Sequence, residues 1–171
     1  MVSVPISAKT LDFDFVVVGG GYGGVCAAVQ AARLGLETAL VQNRPVLGGN
    51  ASSEINVGPG GASPHTSRFR ETGICEEIAE GRVHPGAKNW SDGIDLVVQD
   101  QPNLTVFLNT EGVRAVMDGK SHIAAVEAEH VITGEKTLFH APLFADCTGD
   151  GTIAFSAGCE FRHGEEAKSE Y

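Results

Sequence analysis

The chain is short of cations, of aromatic rings and of long apolar runs, and each shortage removes a class of function. Lys and Arg number 12 against 22 Asp and Glu in 171 residues, a net charge of −10. A surface of that sign repels phosphate backbones and anionic bilayers, so neither nucleic acid nor a membrane surface is an expected partner. No stretch approaches the ~18 consecutive apolar residues of a membrane-spanning helix. The first residues, Met1 to Leu11, hold a single Lys9 and no apolar h-region; residues 1–12 read as a disordered leader, and the cytoplasm is the expected location. The four cysteines, Cys26, Cys75, Cys147 and Cys159, are widely spaced and contain no C-x-x-C. Local motifs therefore supply no zinc or complete iron–sulfur site, and no metal-binding residues are assigned. Cys26 and Cys147 read as small, buried free thiols.

Glycine, by contrast, is abundant at 22 residues, and its placement is informative. Phe15-Val16-Val17-Val18 is an apolar run suited to a buried parallel strand, and it stops at Gly19-Gly20-Gly21-Tyr22-Gly23-Gly24, a match to G-x-G-x-x-G. Gly19 permits the tight turn, Gly21 lets a pyrophosphate approach the backbone, and Gly24 lets the next helix pack closely on the sheet. Val25, Ala28, Val29 and Ala32 recur at helical spacing, Gly35 stops that helix, and Thr38–Val41 reads as the next parallel strand. Within such a unit the glycine motif predicts a dinucleotide clamp, with phosphates facing the helix N-terminus.

The end of the second strand bears on how a ribose is held. Dinucleotide sites usually place Asp or Glu there; this chain has Gln42, followed by Asn43 and Arg44. An amide accepts a hydroxyl hydrogen bond without charge assistance, while Arg44 could neutralise the 2′-phosphate of NADP. This position alone does not separate flavin from nicotinamide.

Further along, Ala51 to Pro64 reads as a loop, Arg70–Glu80 as a helix ended by Gly81, and Ile94, Leu96, Val97 and Val98 as a helix ending before Pro102. Leu104–Leu108 is a strand. Val113–Met117, Ile123–Ile132 and Lys136–His140, separated by Asp118-Gly119 and Thr133-Gly134, predict a three-stranded antiparallel meander. Pro142–Ala145 is another strand, running into Asp146-Cys147-Thr148-Gly149-Asp150-Gly151. The fold class is α/β: a Rossmann-like domain with a parallel sheet and the meander inserted in it. Residues from Gly164 on are charged and expected to fray.

The order of strand, Gly19-Gly20-Gly21, strand, Arg44-Pro45-Val46-Leu47-Gly48-Gly49-Asn50-Ala51-Ser52-Ser53-Glu54, meander, strand and Cys147-Thr148-Gly149-Asp150-Gly151 resembles the FAD-dependent oxidoreductases with a glutathione-reductase-like FAD domain. More narrowly, it is similar to the family related to the flavin-binding subunit of heterodisulfide reductase. The resemblance covers Phe13 to about Tyr171 and implies FAD as cofactor and flavin-mediated hydride or electron transfer on a substrate that is not specified. It implies that Gly19, Gly21, Tyr22, Gly23 and Gly24 form the pyrophosphate loop and that Gln42 occupies the adenosine-ribose position beside Asn43. Arg44, Gly48, Gly49 and Asn50 would run along the pyrophosphate and ribityl side, with Thr148, Gly149 and Asp150 closing over the cofactor. Gly112 or Val113 would offer backbone to adenine.

No catalytic residue is assigned. Arg68, Arg70 and Glu71 follow the loop expected near the isoalloxazine, and a solvated helix start explains them equally. Histidines 65, 84, 122, 130, 140 and 163 read as surface or internally satisfied residues. The resemblance further implies that residues 13–171 are an FAD-binding domain incomplete at its C-terminus, without a substrate domain. An iron–sulfur cluster would then require ligands from a missing portion, and a homo-oligomer or electron-transfer partner is compatible with the family. Two other readings stay open: an NAD(P)-binding domain using Arg44, and a noncatalytic cofactor-binding or assembly fragment that needs a partner.

Overall fold

The strand Phe15–Val18 (β2) is three-quarters valine, and its side chains alternate between two apolar layers. Val17 faces one cluster with Val25, Val29, Leu40, Ile78 and Ile94; Val16 and Val18 face another with Ala39, Val41, Val126 and Phe139. This alternation is the pleat of a strand covered on both faces. The computed structural model describes residues 8–59, 72–162, 164 and 169. Around β2 runs an all-parallel sheet ordered Leu104–Phe107 (β4), Thr38–Val41 (β3), β2 and Leu143–Asp146 (β8).

Three helices cover one face: Tyr22–Arg33 (α1), Ile74–Arg82 (α2) and Trp90–Gln99 (α3). Asn89 and Asp92 form a reciprocal capping box at the start of α3. The other face is covered by the meander of Thr110–Met117 (β5), Ile123–His130 (β6) and Lys136–His140 (β7). Phe139 is fully buried there, with its ring centroid 4.8 Å from that of Phe107 and 6.2 Å from that of Phe13. A fully buried side chain of this kind contributes about 1.5–3 kcal/mol.

The α/β class, the parallel sheet and the antiparallel meander agree with the sequence reading, and three local expectations are corrected. Residues 9–12, expected within a disordered leader, form strand Lys9–Asp12 (β1), paired in parallel with β7; residues 1–7 lie outside the described residues. The helix expected from Arg70 starts at Ile74 because Gly73, at φ 73°, breaks the helical backbone, while Arg70 itself lies outside the described residues. Gly81 does not end that helix, which runs to Arg82. It serves packing instead. A β-carbon on Gly81 would lie 3.0 Å from the Gly93 carbonyl oxygen, and one on Gly93 would lie 2.5 Å from that of Ile78, so the two glycines let α2 and α3 touch backbone to backbone.

Candidate functional site

The C-terminal ends of β2, β3 and β8 and the start of β5 surround a groove of about 400 Å³. A second cavity of about 370 Å³ shares Gly21, Gly49 and Asn50 with it and extends to Tyr22, Ala51 and Val57–Pro59. Ligands of open parallel sheets bind at such carboxyl ends. The shared residues sit where two loops meet: the Gly48 N–H donates to the Gly20 carbonyl at 2.8 Å, and Gly21 bridges to Gly48.

The glycines of the first loop divide their work. Gly19 has φ 106°, and a β-carbon there would lie 2.1 Å from the Cys147 carbonyl oxygen; one on Gly24 would lie 1.9 Å from that of Gly19. Both positions are closed by backbone. Gly21, the N-cap of α1, is different: a β-carbon there meets nothing within 4 Å. Its side faces open space in the groove. No side chain caps α1 and its first turn contains no acidic residue, so the Gly23 and Gly24 N–H groups and the positive end of the helix are left for an anion.

Gln42 is only 6 % exposed and both ends of its amide are engaged. Oε1 accepts from the Gly20 N–H at 2.8 Å, and Nε2 donates to the Val46 carbonyl at 3.3 Å. The side chain thus ties the glycine loop to the loop after β3, while the residue still lines the groove. Arg44 lines the groove as well, but its Nε donates to Glu54 at 2.8 Å, an exposed ion pair that leaves the guanidinium already partnered. Glu111, beside the buried Thr110 whose N–H bonds the Gln42 carbonyl, also lines the groove.

On the opposite wall the organising group is Asp146, at the end of β8. Its Oδ1 accepts from the Thr148 N–H at 3.1 Å and hydroxyl at 2.7 Å, and its Oδ2 accepts from the Ala154 N–H at 2.8 Å. The Thr148 hydroxyl oxygen in turn accepts from the Thr152 N–H at 3.0 Å. These bonds fold the turn that leads into the short helix Thr152–Ser156 (α4). Burial pushes the Asp146 carboxyl up, but the hydrogen bonds from Ala154, Thr148 and Ile153 together outweigh it and hold it below its ordinary value. A carboxyl depressed in the folded chain stabilises fully above its unfolded value, and that stability is lost as pH falls through the folded value. Acid unfolding below about pH 4 is therefore expected to be shallower in Asp146→Asn than in the parent. A pH series of thermal melts checks this, and identical acid limbs would remove Asp146 from the account.

Of the residues expected at the site, Gly19, Gly21, Gln42, Asn43, Arg44, Gly49, Asn50, Gly112, Thr148, Gly149 and Asp150 line the larger groove; Tyr22 and Gly48 line the second cavity. Gly23 and Gly24 line neither, Gly24 because it is packed under Gly19. Gly112 and Val113 also separate. Gly112 faces Val18, whose Cγ1 would lie 2.5 Å from an added β-carbon, so glycine is what lets β5 cross the end of β2. At Val113 the β5–β6 register shifts, and the residue is 43 % exposed and outside the groove lining. Arg68, Arg70, Glu71, His65 and His163 lie outside the described residues.

Sequence reasoning passed over Asp146, Thr110 and Glu111. The signal for Asp146 was the Asp-x-Thr spacing, in which an aspartate side chain bonds the backbone two residues on. Among the described residues no group of three or more His, Cys, Asp or Glu is placed to hold a metal ion, and no helix is long and apolar enough to cross a membrane.

The chain is similar in sequence and in fold to known proteins. The chain is 30% identical over 146 residues to leghemoglobin reductase of Glycine max, covering 68% of this chain and 27% of that protein. It is 47% identical over 111 residues to dihydrolipoyl dehydrogenase 2, mitochondrial, of Arabidopsis thaliana, covering 64% of this chain and 21% of that protein. The chain thus spans about a quarter of the length of these relatives. Among solved structures, a geranylgeranyl bacteriochlorophyll reductase-like protein of Thermoplasma acidophilum superposes with a TM-score of 0.59 at 17% identity, covering 89% of this chain and 43% of that one. That likeness establishes the fold. The sequence profile of the FAD dependent oxidoreductase family matches residues 14–171, and the chain belongs to that family.

Proposed function

We propose that the two joined cavities hold FAD in an extended form and that the chain is the FAD-binding portion of an oxidoreductase. The observation that carries the reading is the uncapped N-terminus of α1 with open space over Gly21, at the junction of the two cavities. Phosphate oxygens accept from backbone N–H groups there irrespective of the chain's net negative charge, because the interaction is local. The larger groove, with Gln42, Thr110, Glu111 and Gly112 on one wall, suits the adenosine end, and Thr148, Gly149 and Asp150 stand across from it. The second cavity, reached past Gly49 and Asn50, leads toward Tyr22 and Val57–Pro59 and suits the ribityl and ring end.

FAD when bound supplies the hydride and electron transfer; the protein supplies orientation, electrostatics and exclusion of water. Gln42 holds the two phosphate-side loops in fixed relation, and Asp146 shapes the turn that carries Thr148, Gly149 and Asp150. The Arg44–Glu54 pair argues against the NADP reading, since a 2′-phosphate would compete with a carboxylate already in place. Substrate chemistry has no assigned residue in this stretch.

Purified chain incubated with FAD and freed of excess is expected to keep flavin absorption bands that dithionite bleaches. A folded chain that keeps no flavin would overturn the assignment. Retained flavin that no acceptor can reoxidise would favour the assembly-fragment reading over an independently active enzyme.

A further inference from the structure

We propose that Cys26 and Cys75 form a dithiol that closes reversibly to a disulfide, fastening α2 to α1 by exchange with a low-molecular-weight disulfide. The pair is 49 residues apart in sequence, and the packing of α1 against α2 brings it together. Tyr22 and Cys26 are one helical turn apart and so lie on the same face of α1. The Tyr22 hydroxyl donates to the Cys75 carbonyl at 3.3 Å, which sets the first turn of α2 against that face. The Cys75 side chain stands beside the Cys26 thiol.

Other contacts hold the two helices in this relation. Ile78 is fully buried in the same apolar cluster that Cys26 and Ile74 pack against, and Arg33 pairs with Glu77 at 2.6 Å toward the far end of α1. The thiols therefore do not depend on chance encounter. Both cysteines are partly buried, unlike the exposed Cys159.

The chemistry follows from the environments. Burial, with Cys75 beside it, pushes the Cys26 thiol up to about 12, which keeps it protonated at neutral pH. In the exchange the Cys75 sulfur attacks one sulfur of the small disulfide and gives up its proton, and the other half leaves as a thiol. Cys26 then gives up its proton and attacks the Cys75 sulfur of the mixed disulfide, expelling the second thiol. The two cysteines lose two protons and two electrons in all, and the small disulfide takes them up as two thiols. The covalent link closes a long loop, which restricts the unfolded chain and so raises the unfolding temperature.

The folded chain would be incubated with oxidised glutathione, its remaining thiols alkylated, and the protein digested without reductant. The expected product joins the Cys26 peptide to the Cys75 peptide, about 2 Da lighter than the two reduced peptides together. Dithiothreitol should release them, and the oxidised chain should melt several degrees above the reduced one. Cys75→Ser should abolish both effects and Cys159→Ser neither. The proposal falls if Cys75 stops at a glutathione adduct while Cys26 stays free, or if the two join only in denaturant. The peptide map of the parent chain decides this even if Cys75→Ser folds poorly. It does so whether or not flavin is bound.

Discussion

A Gly21→Val chain is expected to fold and to lose FAD. The backbone at Gly21 is extended, with φ −66° and ψ 176°, a conformation open to any residue. A β-carbon there touches nothing within 4 Å, so the branch point of valine meets no protein atom that must move. As a poor N-cap it costs at most about 1 kcal/mol, which lowers the melting temperature by about 2–4 °C in a chain of this size. The same open space is the approach to the α1 N–H groups. Filling it removes at least two charge-assisted hydrogen bonds to phosphate of about 1.5–3 kcal/mol each, a loss of at least about 100-fold in FAD affinity. Flavin titration beside a circular-dichroism melt measures both quantities. A folded variant with the parent's affinity would mean that the phosphates lie elsewhere.

Gly24→Ala, three residues on, is expected to do the reverse and attack the fold first. Its β-carbon would sit 1.9 Å from the Gly19 carbonyl oxygen and 3.2 Å from the Cys147 β-carbon. The nearer atom belongs to backbone, in a turn already held by the Gly19 N–H bond to the Val41 carbonyl at 2.8 Å. Relief requires α1 to lift from the end of β2. Alanine's better helix propensity returns about 1 kcal/mol, against an overpacking cost at or above the usual upper value of about 3 kcal/mol. Thermal melts should therefore show a drop of several degrees, and displacement of the helix end should weaken flavin binding as well. A melt unchanged from the parent would contradict the close packing of α1 on β2. Together the two glycines separate a position that opens on the groove from one closed by the chain's own backbone.

Much of this was legible from residue order because it depends on short-range physics. The β2–α1–β3 unit follows from an apolar run, a glycine turn, a helical repeat and Gly35, whose φ of 91° suits the end of α1. The meander follows from turn signals such as Asp118-Gly119, where the Asp118 N–H bonds the His122 carbonyl. Most residues expected around the cofactor also meet at one groove, since the glycine, Gly48-Gly49-Asn50 and Thr148-Gly149-Asp150 motifs all lie at the carboxyl ends of parallel strands.

What sequence order left open depends on partners far away along the chain. Four residues, Lys9–Asp12, have no local pattern that marks a strand; β7, more than a hundred residues later, supplies their hydrogen bonds. Gly81 reads as a stop because glycine is a poor helix former, and only the approach of Gly93 shows why it stands inside a helix. Gln42 lines the groove, yet Gly20 and Val46 decide where its amide points. Asp146 and Asp150 are equally acidic in the sequence, but only Asp146 lies where the N–H groups of Thr148 and Ala154 converge on it. The sequence by itself determined most of the elements, their order and the family to which they belong, because periodicity and glycine placement are local. The tertiary structure decided which glycine faces the open groove and which faces backbone, which carboxylate shapes the turn and which helices bring their cysteines side by side, because a side chain's role depends on the atoms that folding brings beside it.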